Sequence, residues 1–269
     1  MKLAVMKFGG SSVSDGKKIK NVARKVVEKQ KKGFSIVVVV SAPGDTTDDL
    51  IGMSKEITSN PDEREMDVLL STGEVISIAL LSMAIKDLGR ESISLTGPQA
   101  GIQATLQHTR GKIEKIEPRK LRQELARGRI VIVAGFQGIN SNLDVVTLGR
   151  GGSDLTAVAL AAVLKADQCE IYTDVDGIYT TDPRVCPDAK KIDKISYDEI
   201  LELAGSGAQV MQARSIEVAK KYDVKIHVRS SFNSSEGTWI IKEVSNMEDV
   251  VVSGIAFDRN QVKVSINEV

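Results

Sequence analysis

Two rhythms of apolar positions alternate along the chain. Short runs rich in β-branched residues predict strands over 3–7, 36–40, 130–133, 145–148, 170–173 and 224–228. The runs at 36–40 and 130–133 are unbroken, as in strands buried on both faces. Between the strands the spacing turns helical. Ile19, Val22, Ala23, Val26, Val27 and Gln30 trace one stripe, ended by Gly33. Residues 75–88 are apolar nearly all round, which predicts an interior helix closed by Gly89. Residues 118–127 begin with proline and are followed by Gly128, and further helices are predicted over 153–164 and 208–222. Ser196 and Glu199 have capping-box spacing for another. A polar loop at 233–237 precedes two strand-like segments, 250–256 and 262–266, with no helix after them. Strands alternating with helices are the pattern of an α/β protein with a parallel sheet covered by helices.

Composition narrows the function classes. The 269 residues are 42% hydrophobic and 27% charged, enough for one large α/β domain or two smaller ones. Lys+Arg and Asp+Glu both total 36, so the electrostatic footprint of a nucleic-acid or anionic-membrane binder is missing. No unbroken apolar run approaches the roughly 20 residues that cross a bilayer, and residues 2–8 lack the apolar core of a signal peptide. Cys169 and Cys186 stand in no metal or redox spacing, which fits a reduced cytosolic setting. His108 and His227 form no ligand or triad pattern, and no metal site is expected.

Three segments carry chemistry. Lys7-Phe8-Gly9-Gly10-Ser11-Ser12 lies between a predicted strand and a predicted helix. Paired glycines let backbone N–H groups approach an anion, a helix N-terminus favours it, and a lysine at a strand end reaches phosphate as a point charge. The lysine precedes the glycines, so this is no Walker loop, and a plain strand-to-helix turn fits the motif alone equally well. The second segment is Thr147-Leu148-Gly149-Arg150-Gly151-Gly152-Ser153-Asp154. Three glycines are costly for a mere connector, and Arg150 can grip a carboxylate through two parallel hydrogen bonds. Ser153 also suits an N-cap, and Asp154 a first-turn acid that complements the helix dipole.

The same loop nearly matches a dinucleotide fingerprint, with Asp174 at the expected place for a ribose-binding acid. Asp154, however, stands where a third small residue belongs. A dinucleotide-binding oxidoreductase is therefore the alternative from another enzyme class. The third segment is Tyr172-Thr173-Asp174-Val175-Asp176-Gly177-Ile178-Tyr179-Thr180-Thr181-Asp182-Pro183-Arg184. Its polar side chains beyond a strand end suit ribose, base and phosphate contacts, while turn chemistry explains Asp176, Gly177 and Pro183. Two supporting segments are Ser41-Ala42-Pro43-Gly44-Asp45-Thr46-Thr47, after a buried strand, and Ser71-Thr72-Gly73-Glu74. The latter is expected to open the interior helix, and Ser71 and Glu74 have capping-box spacing.

Together KFGGSSV, STGE, TLGRGGSD and YTDVDGIYTTDPR resemble the aspartate kinase family in content, order and spacing, over residues 2–241. The resemblance implies the amino-acid-kinase fold, a three-layer αβα sandwich with a mainly parallel central sheet. It implies the amino acid on the N-terminal part and the nucleotide on the C-terminal part. Lys7, Phe8, Gly9, Gly10, Ser41, Thr173, Asp174, Tyr179, Asp182 and Arg184 fall on nucleotide-side positions, for ATP carrying Mg²⁺. Thr47, Glu74, Arg150, Gly151, Gly152, Ser153 and Asp154 fall on aspartate-side positions, with Lys7 and Asp154 as the catalytic pair. The activity implied is transfer of the ATP γ-phosphoryl group to the β-carboxylate of L-aspartate, the first step of lysine, threonine and methionine biosynthesis in the cytoplasm. Related kinases of this fold act on other substrates, and a non-catalytic ligand-sensing domain is a third alternative that intact Lys7, Arg150 and Asp154 oppose.

Two departures stand out. Many members carry lysine within the segment that here reads Gly207-Ala208-Gln209-Val210, followed by His-Pro where this chain has Gln212-Ala213. Members also continue into paired ACT regulatory domains. Residues 1–245 are accordingly expected to form the catalytic domain, and 246–269 a linker and the first strand of a truncated ACT domain. A homo-oligomer, such as a dimer, or pairing with ACT-containing chains is the partner expectation.

Overall fold

In the computed structural model, residues 2–205, 211–242 and 254–255 are described. The first half contains β1 (Lys2–Phe8), α1 (Gly16–Lys31), β2 (Phe34–Val40), α2 (Thr46–Ile57), α3 (Glu63–Asp87), β3 (Ser92–Leu95), β4 (Ile102–Ala104), β5 (Ile113–Ile116), α4 (Arg119–Ala126) and β6 (Ile130–Ala134). The second contains β7 (Gln137–Ile139), β8 (Val145–Thr147), α5 (Gly152–Leu164), β9 (Gln168–Thr173), β10 (Ile178–Tyr179), β11 (Lys191–Ile192), β12 (Lys194–Ser196), α6 (Tyr197–Gly205), α7 (Ala213–Tyr222), β13 (Ile226–Ser230) and β14 (Thr238–Ile241).

The central sheet runs β12-β14-β13-β9-β1-β2-β6-β3, and only the β13–β14 pair is antiparallel. This is the expected mainly parallel three-layer α/β architecture. Side chains alternate across each strand, so one strand feeds two cores. Ala4, Met6 and Phe8 of β1 pack with Val22, Val26, Leu81 and Ile85 of α1 and α3. Val5 belongs to the opposite core, with Val158 and Leu160 of α5, Ile200 of α6 and Ile216 of α7. Lys7 shares Val5's parity and so emerges on the α5 side at the strand's C-terminal end. The register aligns Phe8 with Val40 and with Tyr172, which brings the loops after β1, β2 and β9 to one edge.

Several expectations need correction. The apolar helix is α3, which begins at Glu63, well before residue 75, with Ser71-Thr72-Gly73-Glu74 inside it rather than at its start. Its N-cap is Asp62, which accepts from the N–H groups of Arg64 and Glu65 at 2.9 and 3.2 Å. Ser71 and Glu74 lie mid-helix and form no capping box. Ser71 Oγ donates to Val68 O, and Glu74 accepts from another loop. Nor is α3 interior all round, since Met83 is 64% exposed and Ile76 48%. By length and composition α3 could cross a bilayer, against the sequence expectation, but half of its apolar stretch is buried against the protein. Ser153 is not an N-cap either: Gly151 holds that place with φ 72°, and Ser153 sits within α5.

The strand at 145–148 exists as β8, yet it belongs to a separate four-stranded sheet, β5-β4-β7-β8, that packs beside α3. The capping box at Ser196 and Glu199 forms as expected. Residues 206–210, which include Gly207, Ala208, Gln209 and Val210, lie outside the described residues. So do the predicted strands at 250–256 and 262–266, apart from Gly254 and Ile255.

Candidate active site

A cavity of about 420 Å³ opens at the C-terminal edge of β1 and β2, between the loop 41–47, mid-α3, and the loop entering α5. All seven residues expected on the amino-acid side line it: Thr47, Glu74, Arg150, Gly151, Gly152, Ser153 and Asp154. Lys7, Gly10 and Ser41 from the expected nucleotide side reach it too. At its floor Lys7 Nζ and Asp154 Oδ1 lie 2.7 Å apart as an ion pair, each side chain 13% exposed. Strand parity aims Lys7 at α5, and the first turn of α5 supplies the acid. Arg150 is exposed at the rim.

Glu74 is 3% exposed and pushed up to about 8 by burial, against which hydrogen bonds from backbone N–H groups, Ala42's among them, act. Its Oε1 accepts from Ala42 N–H at 3.1 Å, and its Oε2 is buried without a partner. Gly73 makes that approach possible: a Cβ there would stand 2.7 Å from Ala42 Cβ. The Ser-Thr-Gly-Glu segment is thus a close-packing site with a buried acid.

The turn after β1 leaves room beside the lysine. A Cβ on Gly10 would meet Ala42 O at 2.8 Å, so glycine is needed for the two loops to touch. A Cβ on Gly9 would stand 3.6 Å from Lys7 Nζ and 4.0 Å from Tyr172 O, so the turn runs directly beside the ammonium. The glycines before α5 face protein instead: Gly151 abuts Gln212, and Gly152 abuts Leu148 and Phe136. That packing leaves the dinucleotide-fingerprint reading without an open pyrophosphate seat.

The remaining expected residues do not line the cavity: Phe8 and Thr173 end β1 and β9, Gly9 follows β1, and Asp174, Tyr179, Asp182 and Arg184 lie beyond β9. Phe8 stacks on Tyr172 with centroids 4.5 Å apart. Thr173 Oγ1 donates to Asp174 at 2.9 Å, and Tyr179 OH to Asp176 at 2.7 Å. Arg184 pairs with Asp182 through Nε and Nη2, which with Asp174 nearby raises its guanidinium further above the usual range. The structure therefore gathers the residues expected on the amino-acid side into one pocket and leaves those around Asp174 to Arg184, expected on the nucleotide side, outside it. Among the described residues no three His, Cys, Asp or Glu side chains converge as a metal site.

Sequence reasoning missed Asp67. It is fully buried in α3 and accepts from Thr147 Oγ1 at 2.5 Å and from Thr109 N–H at 3.0 and 3.1 Å. His108 Nδ1 lies 2.7 Å from its other oxygen. No motif marked it, because its three partners come from distant parts of the chain.

Residues 2–230 match the profile of the Amino acid kinase family. The chain belongs to that family. It is 51% identical over 269 residues to an aspartokinase of Mycolicibacterium smegmatis, covering 99% of this chain and 64% of the relative. It is 51% identical over 266 residues to that of Geobacillus stearothermophilus, covering 99% and 65%. The chain thus spans under two thirds of the length of these relatives. Among solved structures, aspartate kinase from Synechocystis aligns with TM-score 0.81 and 46% identity, over 93% of this chain and 41% of that one. E. coli aspartokinase III in complex with aspartate and ADP aligns with TM-score 0.83 and 27% identity, over 91% and 66%. UMP kinase from Bacillus anthracis shares the fold at TM-score 0.68 and 19% identity, over 90% of this chain and 97% of that one.

Proposed function

We propose that this chain is the catalytic part of an aspartate kinase, moving the γ-phosphoryl group of ATP onto the β-carboxylate of L-aspartate. The observation that carries the reading is one pocket in which the Lys7–Asp154 ion pair, Arg150 and the partnerless Glu74 Oε2 meet. Kinship with aspartokinases near 50% identity supports the substrate pair.

The chemistry asks little of a general base. A β-carboxylate, which ordinarily titrates at about 3.9, is already ionised at neutral pH. The obstacle is its approach to a polyanion, so catalysis rests on positioning and charge stabilisation. Lys7, held by Asp154, places its ammonium where charge grows on the transferring group. The Gly9 and Gly10 turn offers backbone N–H groups to the phosphates. Arg150 grips the substrate α-carboxylate, and Glu74 receives the α-ammonium. Thr47 and Ser153 complete the amino-acid side, while Ser41 sits between the two substrates. Thr173, Asp174, Tyr179, Asp182 and Arg184 hold the nucleotide beyond β9. Mg²⁺ belongs to the nucleotide substrate, where it neutralises phosphate charge.

The enzyme is proposed to work in the cytoplasm as a homo-oligomer or paired with ACT-containing chains, with 246–269 leading into such a domain. The exposed apolar positions Val68, Ile76, Leu80 and Met83 on α3 suit a protein interface.

A coupled assay of ADP release over a panel of amino acids tests the reading. Turnover with aspartate alone is expected; NADH binding without ATP binding would overturn it. Arg150→Lys should raise the aspartate KM about tenfold or more, since a lysine loses the two-point grip on a carboxylate. The ATP KM should stay put. Weaker ATP binding with unchanged aspartate KM would move Arg150 to the nucleotide side.

A further inference from the structure

We infer that Asp67 is a positioning residue, which fixes the arginine-bearing loop of the pocket against α3 by tying together Thr147, Thr109 and His108. The inference rests on the aspartate kinase reading for its kinetic consequence and on geometry alone for the positioning itself.

Asp67 is fully buried about two helical turns before Glu74 on α3. Three donors from two other segments converge on its carboxylate. Thr147 ends β8, and its hydroxyl donates to Oδ1 at 2.5 Å. Thr109 N–H donates to both oxygens, and His108 Nδ1 lies 2.7 Å from Oδ2, an arrangement that needs the proton on that nitrogen. Thr147 and Thr109 both line the cavity. Between Thr147 and α5 the chain makes only the turn Leu148-Gly149-Arg150-Gly151. Whatever fixes Thr147 therefore fixes the origin of Arg150.

The second tie reinforces the first. Thr109 holds φ 61°, in the left-handed region that a β-branched residue rarely adopts. Its N–H is directed at Asp67, and a Cβ on Gly149 would stand 3.4 Å from its carbonyl oxygen. Gly111 N–H donates to Thr147 O at 2.9 Å, closing the same unit. A buried carboxylate that accepts three donors outlasts local fluctuation, because each donor freed inside the protein is left unsatisfied. Asp67 is too deep in this network to touch substrate; it acts through Thr147 and Thr109.

Asp67→Asn is the test, with Thr147→Val beside it in case the first does not fold. An asparagine oxygen accepts two hydrogen bonds at most, so one of the three donors must reorganise. Misplacement of a binding group by a fraction of an ångström suffices to raise the aspartate KM about tenfold or more. The ATP KM and kcat should change by less than threefold, a split that mere loss of folded protein would not produce. Thr147→Val should move the aspartate KM in the same direction by a smaller factor. Hydrogen exchange reads the positioning without any activity: peptides covering 106–111 and 147–152 should exchange faster in either variant, with β1, β2 and α1 unchanged. Unaltered exchange in those two peptides, or a loss of protection spread evenly over the chain, overturns the positioning role whether or not the protein phosphorylates aspartate. A wild-type enzyme inactive on aspartate, with the exchange result as expected, keeps the positioning and retires only the substrate assignment. An active wild type whose variants keep the aspartate KM overturns the inference and spares the reading.

Discussion

Lys7→Ala is expected to lower kcat by about 10²–10³ while changing the aspartate KM only a few-fold. Strand parity puts the ammonium on the α5 side of β1, 2.7 Å from Asp154, at the edge where the loops after β1 and β2 meet. Charge grows there only as the phosphoryl group transfers, so the ammonium's value lies in the transition state. A loss of this kind corresponds to roughly 3–4 kcal/mol. Removing Lys7 also leaves Asp154 as an uncompensated negative charge facing phosphates. Asp154→Ala should therefore hurt less in the Lys7→Ala background than alone, and the double variant should fall short of the product of the singles. Steady-state kinetics on the three variants checks this. A Lys7→Ala enzyme with near-normal kcat would remove the lysine from the mechanism.

The parts of the molecule that repeat a local rule are legible in sequence. The buried runs become β2 and β6 because strands flanked on both sides need apolar residues on both faces. The stripe of Ile19 to Val27 becomes the buried face of α1. What escapes is set by contacts between distant segments. The start of α3 is hidden because Ser71-Thr72-Gly73-Glu74 interrupts its apolar positions, and Glu74 has the spacing of a cap, though Gly73 and Ala42 show it to be a buried acid. The short strands β4, β5 and β7 carry too few residues for a period to show. Asp67 looks like one more helix acid, since its partners Thr109 and Thr147 are far away in sequence. The residues expected on the aspartate side are reachable through the family likeness, and the fold brings them together from the start of α2, the middle of α3 and the turn between β8 and α5.

Glu74→Gln should separate stability from substrate affinity, in opposite directions. Burial pushes the Glu74 carboxyl from its usual 4.5 up to about 8, because Oε2 has no partner and only backbone N–H donors support the charged form. Between those two values the folded protein binds more protons than the unfolded chain, so stability falls as pH rises. The cost is absent below about pH 4.5, grows across the window and is complete above pH 8, reaching at most about 5 kcal/mol. Glutamine carries no such cost. The variant's Tm should therefore exceed the wild type's by several degrees at pH 8.5 and by little at pH 5. Substrate binding runs the other way. An arriving ammonium favours ionised Glu74, so aspartate must expel a proton when it binds below pH 8. The wild-type aspartate KM should fall by up to tenfold per unit as pH rises from 6 to 8 and then level off. In Glu74→Gln it should be flat with pH and about 10²-fold higher at pH 8, the scale of losing one partner of a buried charge pair. The ATP KM should not move in either enzyme. Thermal melts and KM measured across pH 5–8.5 check both halves. A stability gap independent of pH would mean that Glu74 is ionised in the free protein, and an aspartate KM untouched by glutamine would place the ammonium elsewhere.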